Sequence, residues 1–146
     1  MNFTLKPFYQ LSLDELYDCL RLRQEVFVVE QDCPYLDNDD KDQKGWHLMG
    51  RSDEELVAYA RLLPKGISYE NYASIGRIVT SQKGRGKGYG KALVATAIAE
   101  IEQNWGKQAI KISAQHYLLK FYNELGFQEV GEGYIEDGIP HIGMIR

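Results

Sequence analysis

The chain of 146 residues has little cysteine, no long apolar run and no excess of positive charge. Its two cysteines, Cys19 and Cys33, cannot form a disulfide framework, so reduced thiols and a cytoplasmic location are expected. No stretch approaches the roughly 20 apolar residues of a membrane span, and the first residues lack the long apolar core of a signal peptide. We therefore expect no association with a membrane.

The charge balance argues against a general nucleic-acid-binding protein. The sequence contains 17 Lys and Arg against 21 Asp and Glu, a net charge of −4. Binding to a phosphate backbone usually requires a basic surface, so no nucleic-acid partner is expected. Hydrophobic content of 44% and charged content of 26% are ordinary for globular proteins. The length predicts one domain over residues 1–146.

A basic, glycine-rich loop (residues 84–90, here the glycine loop) separates an apolar run from a helical pattern. Ile75–Val79 predicts a strand, and the helix begins near Tyr89 or Gly90. Glycines allow a close backbone approach and positive φ, and a helix N-terminus presents unpaired N–H groups. The positive charge comes from Lys83, Arg85, Lys87 and Lys91. This arrangement predicts a site for phosphate or pyrophosphate, although a solvated turn is the simpler alternative.

The spacing of these glycines distinguishes between phosphate-binding loops. A Walker A loop would need Gly and Ser or Thr where the sequence has Arg85 and Ala92. A dinucleotide fingerprint would need Gly at position 89 or 91, where the sequence has none. The spacing that remains is R-x-x-G-x-G, formed by Arg85, Gly88 and Gly90.

Hydrophobic periodicity predicts an α/β fold of the mixed α+β kind, a central sheet flanked by helices. The first helix is expected to bury a stripe of Leu13, Leu16, Tyr17, Leu20 and Phe27. Strands are predicted at 2–8, 45–50, 55–63, 73–80, 109–113, 127–130 and 142–145, and helices at 13–29, 90–104 and 118–125. A polar connection, 30–44, follows the first helix, and a polar turn region separates the last two strands.

Two of these motifs resemble the GNAT acetyltransferases. R-x-x-G-x-G resembles their acyl-CoA pyrophosphate loop, and F-Y-x-x-L-G-F at Phe121–Phe127 resembles their helix beside the thiol. The segments E-Q-D-C-P-Y (30–35) and D-G-I-P-H (137–141) resemble the ElaA-type branch. The likeness extends over nearly the whole chain, and the predicted order of elements is that of the GNAT fold.

The resemblance implies acetyl-CoA as co-substrate and a direct transfer of its acetyl group to an amine. Backbone groups of Ile78 and Val79 would pair with the pantetheine arm, and Gln115 would reach the pantetheine or the thioester. Tyr122 would be the general acid that protonates the leaving thiolate. The pyrophosphate would be held by Arg85, Gly86, Lys87, Gly88, Tyr89, Gly90 and Lys91.

The general base is less clear from the sequence. Many GNAT proteins carry a glutamate on the strand before the glycine loop, but residues 73–80 contain no carboxylate. His47 and His141 are candidates because histidine titrates between pH 5 and 8, and Glu30 is a third. A lone histidine more often has a structural role, which is the alternative for each of the two. The expected acceptor pocket contains Arg23, Glu30, Tyr35, His47 and His141.

The acidic connection has two interpretations. Asp37, Asp39, Asp40 and Asp42 are either solvated charge, which we favour, or a field that attracts a cationic amine. A calcium loop would need a central Gly and a Glu at its twelfth position, which are absent here, so no metal is expected. Cys33 has no activating neighbour in the sequence, which disfavours an acyl-cysteine intermediate.

Three functions remain open at this point. An acetyl-CoA-dependent N-acetyltransferase leads, a non-catalytic CoA-binding sensor on the same fold is second, and a nucleic-acid-binding module is third. The acceptor amine, small molecule or peptide, is not identified. A homodimer is left open.

Overall fold

A seven-stranded mixed sheet organises the chain, which the computed structural model describes over residues 1–146. The order across the sheet is β1-β2-β3-β4-β5-β7-β6, and only β4 and β5 run parallel. The strands are β1 Asn2–Pro7, β2 Trp46–Ser52, β3 Glu55–Leu63, β4 Ala73–Thr80, β5 Ile110–Gln115, β6 Gln128–Glu136 and β7 Ile139–Ile145. This confirms the predicted mixed α/β architecture.

Three α-helices pack on the sheet: α1 Leu13–Arg23, α2 Tyr89–Trp105 and α3 Leu119–Glu124. A capping box starts α1, since the Ser12 hydroxyl accepts from the Glu15 N–H at 3.0 Å and the Glu15 carboxylate accepts from the Ser12 N–H at 2.8 Å. After α1 the chain continues as a π-helical segment, Gln24–Glu30. None of the helices combines the length and apolar character that crossing a membrane requires.

Strand β3 separates two hydrophobic cores. Successive side chains of a strand point to opposite faces, so Ala58, Ala60 and Leu62 pack towards α2 while Tyr59 packs towards α1. The larger core contains the apolar face of α2, including Leu93. Burial on both faces explains why β3 is an almost continuous apolar run.

The buried face of α1 differs from the predicted stripe. Leu13 and Tyr17 are 87% and 69% exposed, while Cys19, Leu22 and Arg23 are buried. Counting only apolar residues missed this face because one of its members is an arginine whose charge is neutralised by carboxylates elsewhere in the chain.

The last two strands are longer than predicted. β6 and β7 form a hairpin whose turn is Asp137-Gly138, with φ of 52° and 76°. Asp-Gly is a strong signal for such a two-residue turn, and the predicted long polar turn region overlooked it. Because the strands reach the turn, His141 lies on β7 opposite Gln115 of β5 instead of in a loop.

Strands β4 and β5 separate soon after they begin. They pair at Ala73 with Ile110 and at Ser74 with Lys111, and no further pairs follow. A bulge in β4 places Arg77, at φ 52°, between the residues paired with β3. Bulges bend a strand and re-aim it. The result is a cleft in the middle of the sheet, with one edge of β4 lacking a strand partner.

Three of the four aspartates in the acidic connection are paired with arginines instead of being solvated, which corrects the favoured interpretation for them, while Asp40 is exposed. Asp42 accepts hydrogen bonds from Arg23 of α1 and Arg61 of β3, each at 2.8 Å. Asp39 makes two hydrogen bonds with Arg61, at 2.7 and 2.8 Å. Asp37 is bound by Arg23 at 2.7 Å.

This ion network also reaches the cleft. The Arg77 guanidinium donates to the backbone oxygen of Asp37 at 2.8 Å and lies 2.8 Å from its carboxylate. The network, defined here as Arg23, Arg61 and Arg77 with Asp37, Asp39 and Asp42, therefore ties the loop after the π-helical segment to the bulge of β4.

We expect Asp42→Asn to lower the free energy of unfolding by about 3 kcal/mol at neutral pH, because it leaves two buried guanidinium groups short of one negative charge. The measurement is urea unfolding, with Glu124→Ala as an exposed control on α3 that should change little. A loss no larger than the control's would contradict a stabilising role for the network.

In the Asp42→Asn variant, the free energy of unfolding should fall less steeply as the pH is lowered into the acid range. Burial would raise the pKa of Asp42, but hydrogen bonds from Arg23 and Arg61 outweigh burial and hold it below its usual range. A depressed folded pKa contributes stability above the unfolded value of about 3.9 that is lost as the pH falls.

Candidate active site

The cleft between β4 and β5 holds a cavity of about 500 Å³, a size typical of small-molecule sites. Four parts of the chain form its walls. They are the π-helical segment with the loop after it (residues 26–37), β4 (75–80) with Arg85, the end of β5 with the turn and helix after it (112–122), and the β6–β7 hairpin (136–141).

The glycine loop lies where β4 ends and α2 begins. Gly86 and Gly88 both have φ of 75°, a conformation that side chains rarely adopt. A β-carbon built on either residue would meet no atom within 4 Å, so the space in front of the loop is open. Gly88 immediately precedes the 17-residue α2, whose first N–H groups have no intrahelical acceptor. This geometry suits an anion the size of a phosphate.

Glu30 bridges the π-helical segment and the glycine loop. Its carboxylate accepts hydrogen bonds from Arg85, at 2.7 Å, and Gln82, at 2.9 Å. The hydrogen bond from Arg85 lowers the pKa of Glu30. A carboxylate held ionised in this way is a poor proton acceptor, so the structure disfavours Glu30 as the base. Its contacts instead connect the π-helical segment to the glycine loop at the cavity wall.

Tyr122 presents its side chain to the cavity from α3. Its ring packs edge-on against Phe121 and Phe127, with centroids 5.1 and 6.0 Å apart, and the residue is 6% exposed. Burial, with a smaller effect from Tyr117, raises the pKa of the phenol, and no protein group hydrogen-bonds the hydroxyl. The phenol therefore keeps its proton at neutral pH and has that proton free for a ligand.

His141 faces the same cavity from β7. Its Nδ1 lies 2.7 Å from the carbonyl oxygen of Ile139, which can only accept, so Nδ1 carries the proton. In the neutral ring, Nε2 then holds a lone pair, 3.5 Å from a carboxylate oxygen of Glu136. The ring also stacks on Tyr134, at 6.2 Å between centroids. The imidazole is thus held in the tautomer that a proton acceptor requires.

Arg23 and His47 were expected in the acceptor pocket, but neither of them lines the cavity. Arg23 is 1% exposed and belongs to the ion network. His47 is also 1% exposed, with Nδ1 2.7 Å from the Tyr59 hydroxyl and Nε2 2.9 Å from the Asp42 carbonyl oxygen. Burial lowers the pKa of His47. Both ring nitrogens are used internally, so His47 has no lone pair to offer a substrate.

The remaining predicted residues divide into two groups. Ile78, Val79, Gln115 and Tyr35 line the cavity. The other group does not line the cavity. It lies in the glycine loop and the first turn of α2 and contains Lys87, Tyr89, Gly90 and Lys91. Sequence reasoning missed Tyr117, Glu136 and Asp137, which also line the cavity. The Asp-Gly turn was the signal that would have placed the last two beside His141.

The divided sheet, the open glycine loop and the tyrosine facing the cleft define an acyl-CoA N-acyltransferase fold. A crystal structure of an acyl-CoA N-acyltransferase from Pseudomonas aeruginosa matches with a TM-score of 0.94 and 44% identity, covering 99% of this chain and 98% of that one. An aminoglycoside 6′-N-acetyltransferase complexed with coenzyme A shares the fold alone, with a TM-score of 0.70, 15% identity, and 98% and 96% of the two chains covered.

Sequence relatives assign the chain to a family within this fold class. Escherichia coli ElaA is 43% identical over 139 residues, which cover 94% of this chain and 90% of ElaA, and its crystal structure matches with a TM-score of 0.92. The family model described as acetyltransferase (GNAT) domain matches residues 22–146. The chain belongs to the GNAT acetyltransferase family, in its ElaA-type branch. Membership of this family supports acyl-CoA-dependent acyl transfer in general.

Proposed function

We propose that the protein is an acetyl-CoA-dependent N-acetyltransferase that transfers the acetyl group directly to an amine. The observation that carries the proposal is that one cavity contains both an unpartnered phenol, Tyr122, and an imidazole with a free Nε2, His141. These are a proton donor and a proton acceptor, which aminolysis of a thioester requires.

The chain's own residues fit coenzyme A. The open space before Gly86 and Gly88 would take the pyrophosphate, whose oxygens would accept from N–H groups of the glycine loop and the start of α2. The unpaired edge of β4 at Ile78 and Val79 would receive the pantetheine amides as an added strand. Gln115, at the end of β5, lines the same path.

Acetyl-CoA would supply a thioester carbonyl that is open to nucleophilic attack. His141 Nε2 would accept a proton from the acceptor amine, which must be neutral to attack. Tyr122 would give its proton to the departing sulfur. The unpaired Tyr122 hydroxyl needs no protein bond to break first, and the Ile139 carbonyl keeps the His141 proton on Nδ1.

A non-catalytic CoA-binding sensor is the second candidate. The absence of a carboxylate on β4, Ala73–Thr80, favours it, because many members of the family place their base there. His141 would replace that base from another strand. Turnover with any amine distinguishes the two functions.

The proposal predicts that the protein binds acetyl-CoA and that Gly88→Ala weakens binding at least about tenfold, since the β-carbon enters the open space and φ of 75° strains an alanine. The matched control is Gly66→Ala, at φ 92° with equally open surroundings, on the loop before β4. The measurement is titration calorimetry, followed by thiol release with a panel of amines. Equal affinities in both variants would contradict the pyrophosphate assignment.

Tyr122→Phe should lower turnover by about 100-fold or more while acetyl-CoA affinity stays unchanged, because only the proton donor is lost. The free energy of unfolding should also be unchanged, since the hydroxyl has no protein partner. Thiol-release kinetics, calorimetry and urea unfolding test the three statements. Near-normal turnover would remove Tyr122 as the acid.

His141→Asn keeps a donor for the Ile139 carbonyl but removes the lone pair at Nε2. The rate should fall about 100-fold at neutral pH, and the deficit should shrink as the pH rises and more of the amine is already neutral. The control is His116→Asn, at an exposed position outside the cavity wall. A deficit that is the same at every pH would assign His141 a structural role.

A further inference from the structure

Charge is balanced at one end of the cavity. Among the carboxylates that line it, Glu30 is paired with Arg85 at 2.7 Å, and Asp37 is paired with Arg23 at 2.7 Å and Arg77 at 2.8 Å. The two arginines of the cavity wall, Arg77 and Arg85, are therefore both engaged. No free guanidinium remains in the wall to receive a carboxylate of the acceptor.

The negative charge at the hairpin end of the cavity has no lysine or arginine partner. Glu136 and Asp137 line the cavity, and neither is within ion-pair distance of a lysine or arginine. Glu136 lies 3.5 Å from His141 Nε2, and the His141 side chain is only 8% exposed. A cation bound by Glu136 would thus lie within reach of the one free lone pair of the buried imidazole.

Exposed aromatic and apolar side chains also line the cavity. Tyr35, Leu36 and Tyr117 line the cavity although they are 52%, 86% and 72% exposed, and Ile135, 68% exposed, precedes Glu136. Large apolar side chains left exposed around a cavity mark a surface that a ligand covers. Burial of an apolar ligand group there would release water from all of them.

Resting on the proposed function, we propose that the acceptor is a small primary amine with an apolar body. Its ammonium group pairs with Glu136 and Asp137 before His141 removes a proton, and its apolar body covers Tyr35, Leu36 and Tyr117. The Cys33 thiol lies 3.7 Å from the Asp137 carbonyl oxygen, so the loop and the hairpin meet across the cavity. With about 500 Å³ shared by the acceptor and the pantetheine arm, a small molecule fits better than a polypeptide.

This arrangement discriminates against two other classes of amine. An α-amino acid brings a carboxylate, which would face Glu136 and Asp137 and find no free cation. A polyamine brings a second ammonium group, which would have to lose its hydration against Leu36 and the tyrosines. Each of these amines would therefore bind less tightly than a small amine whose remaining surface is apolar.

The experiment compares three amines at saturating acetyl-CoA: 2-phenylethylamine, phenylalanine and spermidine. The first two differ only by a carboxylate, and the third tests the second charge. We expect kcat/KM for 2-phenylethylamine to exceed both others at least tenfold. A preference for phenylalanine or spermidine, or binding of acetyl-CoA with no acetylation of 2-phenylethylamine, would overturn the acceptor class and leave coenzyme A binding intact. Absence of acetyl-CoA binding would instead remove the proposed function.

Two variants test the residues. Asp137→Asn keeps a side chain that tolerates φ of 52° and removes the charge, and Glu136→Gln removes the neighbouring charge. Each should raise KM for 2-phenylethylamine about fivefold and leave KM for acetyl-CoA unchanged, as expected for a partly exposed ion pair. The control is Glu129→Gln, an exposed glutamate of the same strand that lies outside the cavity wall. An unchanged KM for the amine in both variants would contradict the assignment.

Discussion

The separation of β4 from β5 after two paired residues is the constraint on which the site depends. A parallel pair normally continues its hydrogen bonds along both strands, so a strand edge left open in the middle of a sheet must be satisfied by something else. The bulge at Arg77 turns β4 away, and the cavity occupies the space that results. The glycine loop, the tyrosine of α3 and the hairpin histidine all take their positions from this opening.

The ion network holds one wall of the cleft in place. The loop after the π-helical segment has no regular hydrogen-bonding ladder of its own before its short turn at Asp42–Lys44. Arginines from three elements, α1, β3 and β4, bind its aspartates instead. Removing one partner of such a buried network leaves an uncompensated charge, so the network strongly favours the one loop conformation in which every charge is paired. Here they place Tyr35, Leu36 and Cys33 at the cavity, and they connect that loop directly to the bulged strand.

The chemistry of the site follows from which polar groups lack internal partners. Both ring nitrogens of His47 are occupied, by the Tyr59 hydroxyl and the Asp42 carbonyl oxygen, and Glu30 is neutralised by Arg85. His141 Nδ1 donates to the Ile139 carbonyl oxygen, whereas its Nε2 makes no hydrogen bond. The Tyr122 hydroxyl has no hydrogen-bond partner in the protein. Among the candidate proton donors and acceptors, His141 and Tyr122 are the ones that line the cavity and keep a polar atom without a hydrogen-bond partner.

Features that depend on a few neighbouring residues were determined by the sequence itself. The strand at Ala73–Thr80 and the start of α2 were predicted, because strand formation and helix initiation follow local sterics and hydrogen bonding. Two glycines of the loop, Gly86 and Gly88, adopt the positive φ that glycine allows. The helix predicted at 118–125 is likewise present as α3, and Gly126 follows it with a φ of 93°.

Only the tertiary structure decided which charged and titratable groups meet. Arg23 and Asp42 are 19 residues apart, and whether an arginine is buried depends on a carboxylate that periodicity does not reveal. The choice between His47 and His141 had the same origin, because both histidines have the same intrinsic chemistry and differ in which partners the sheet brings to their ring nitrogens. Local conformation is encoded by near neighbours, whereas desolvation and ion pairing are properties of the assembled fold.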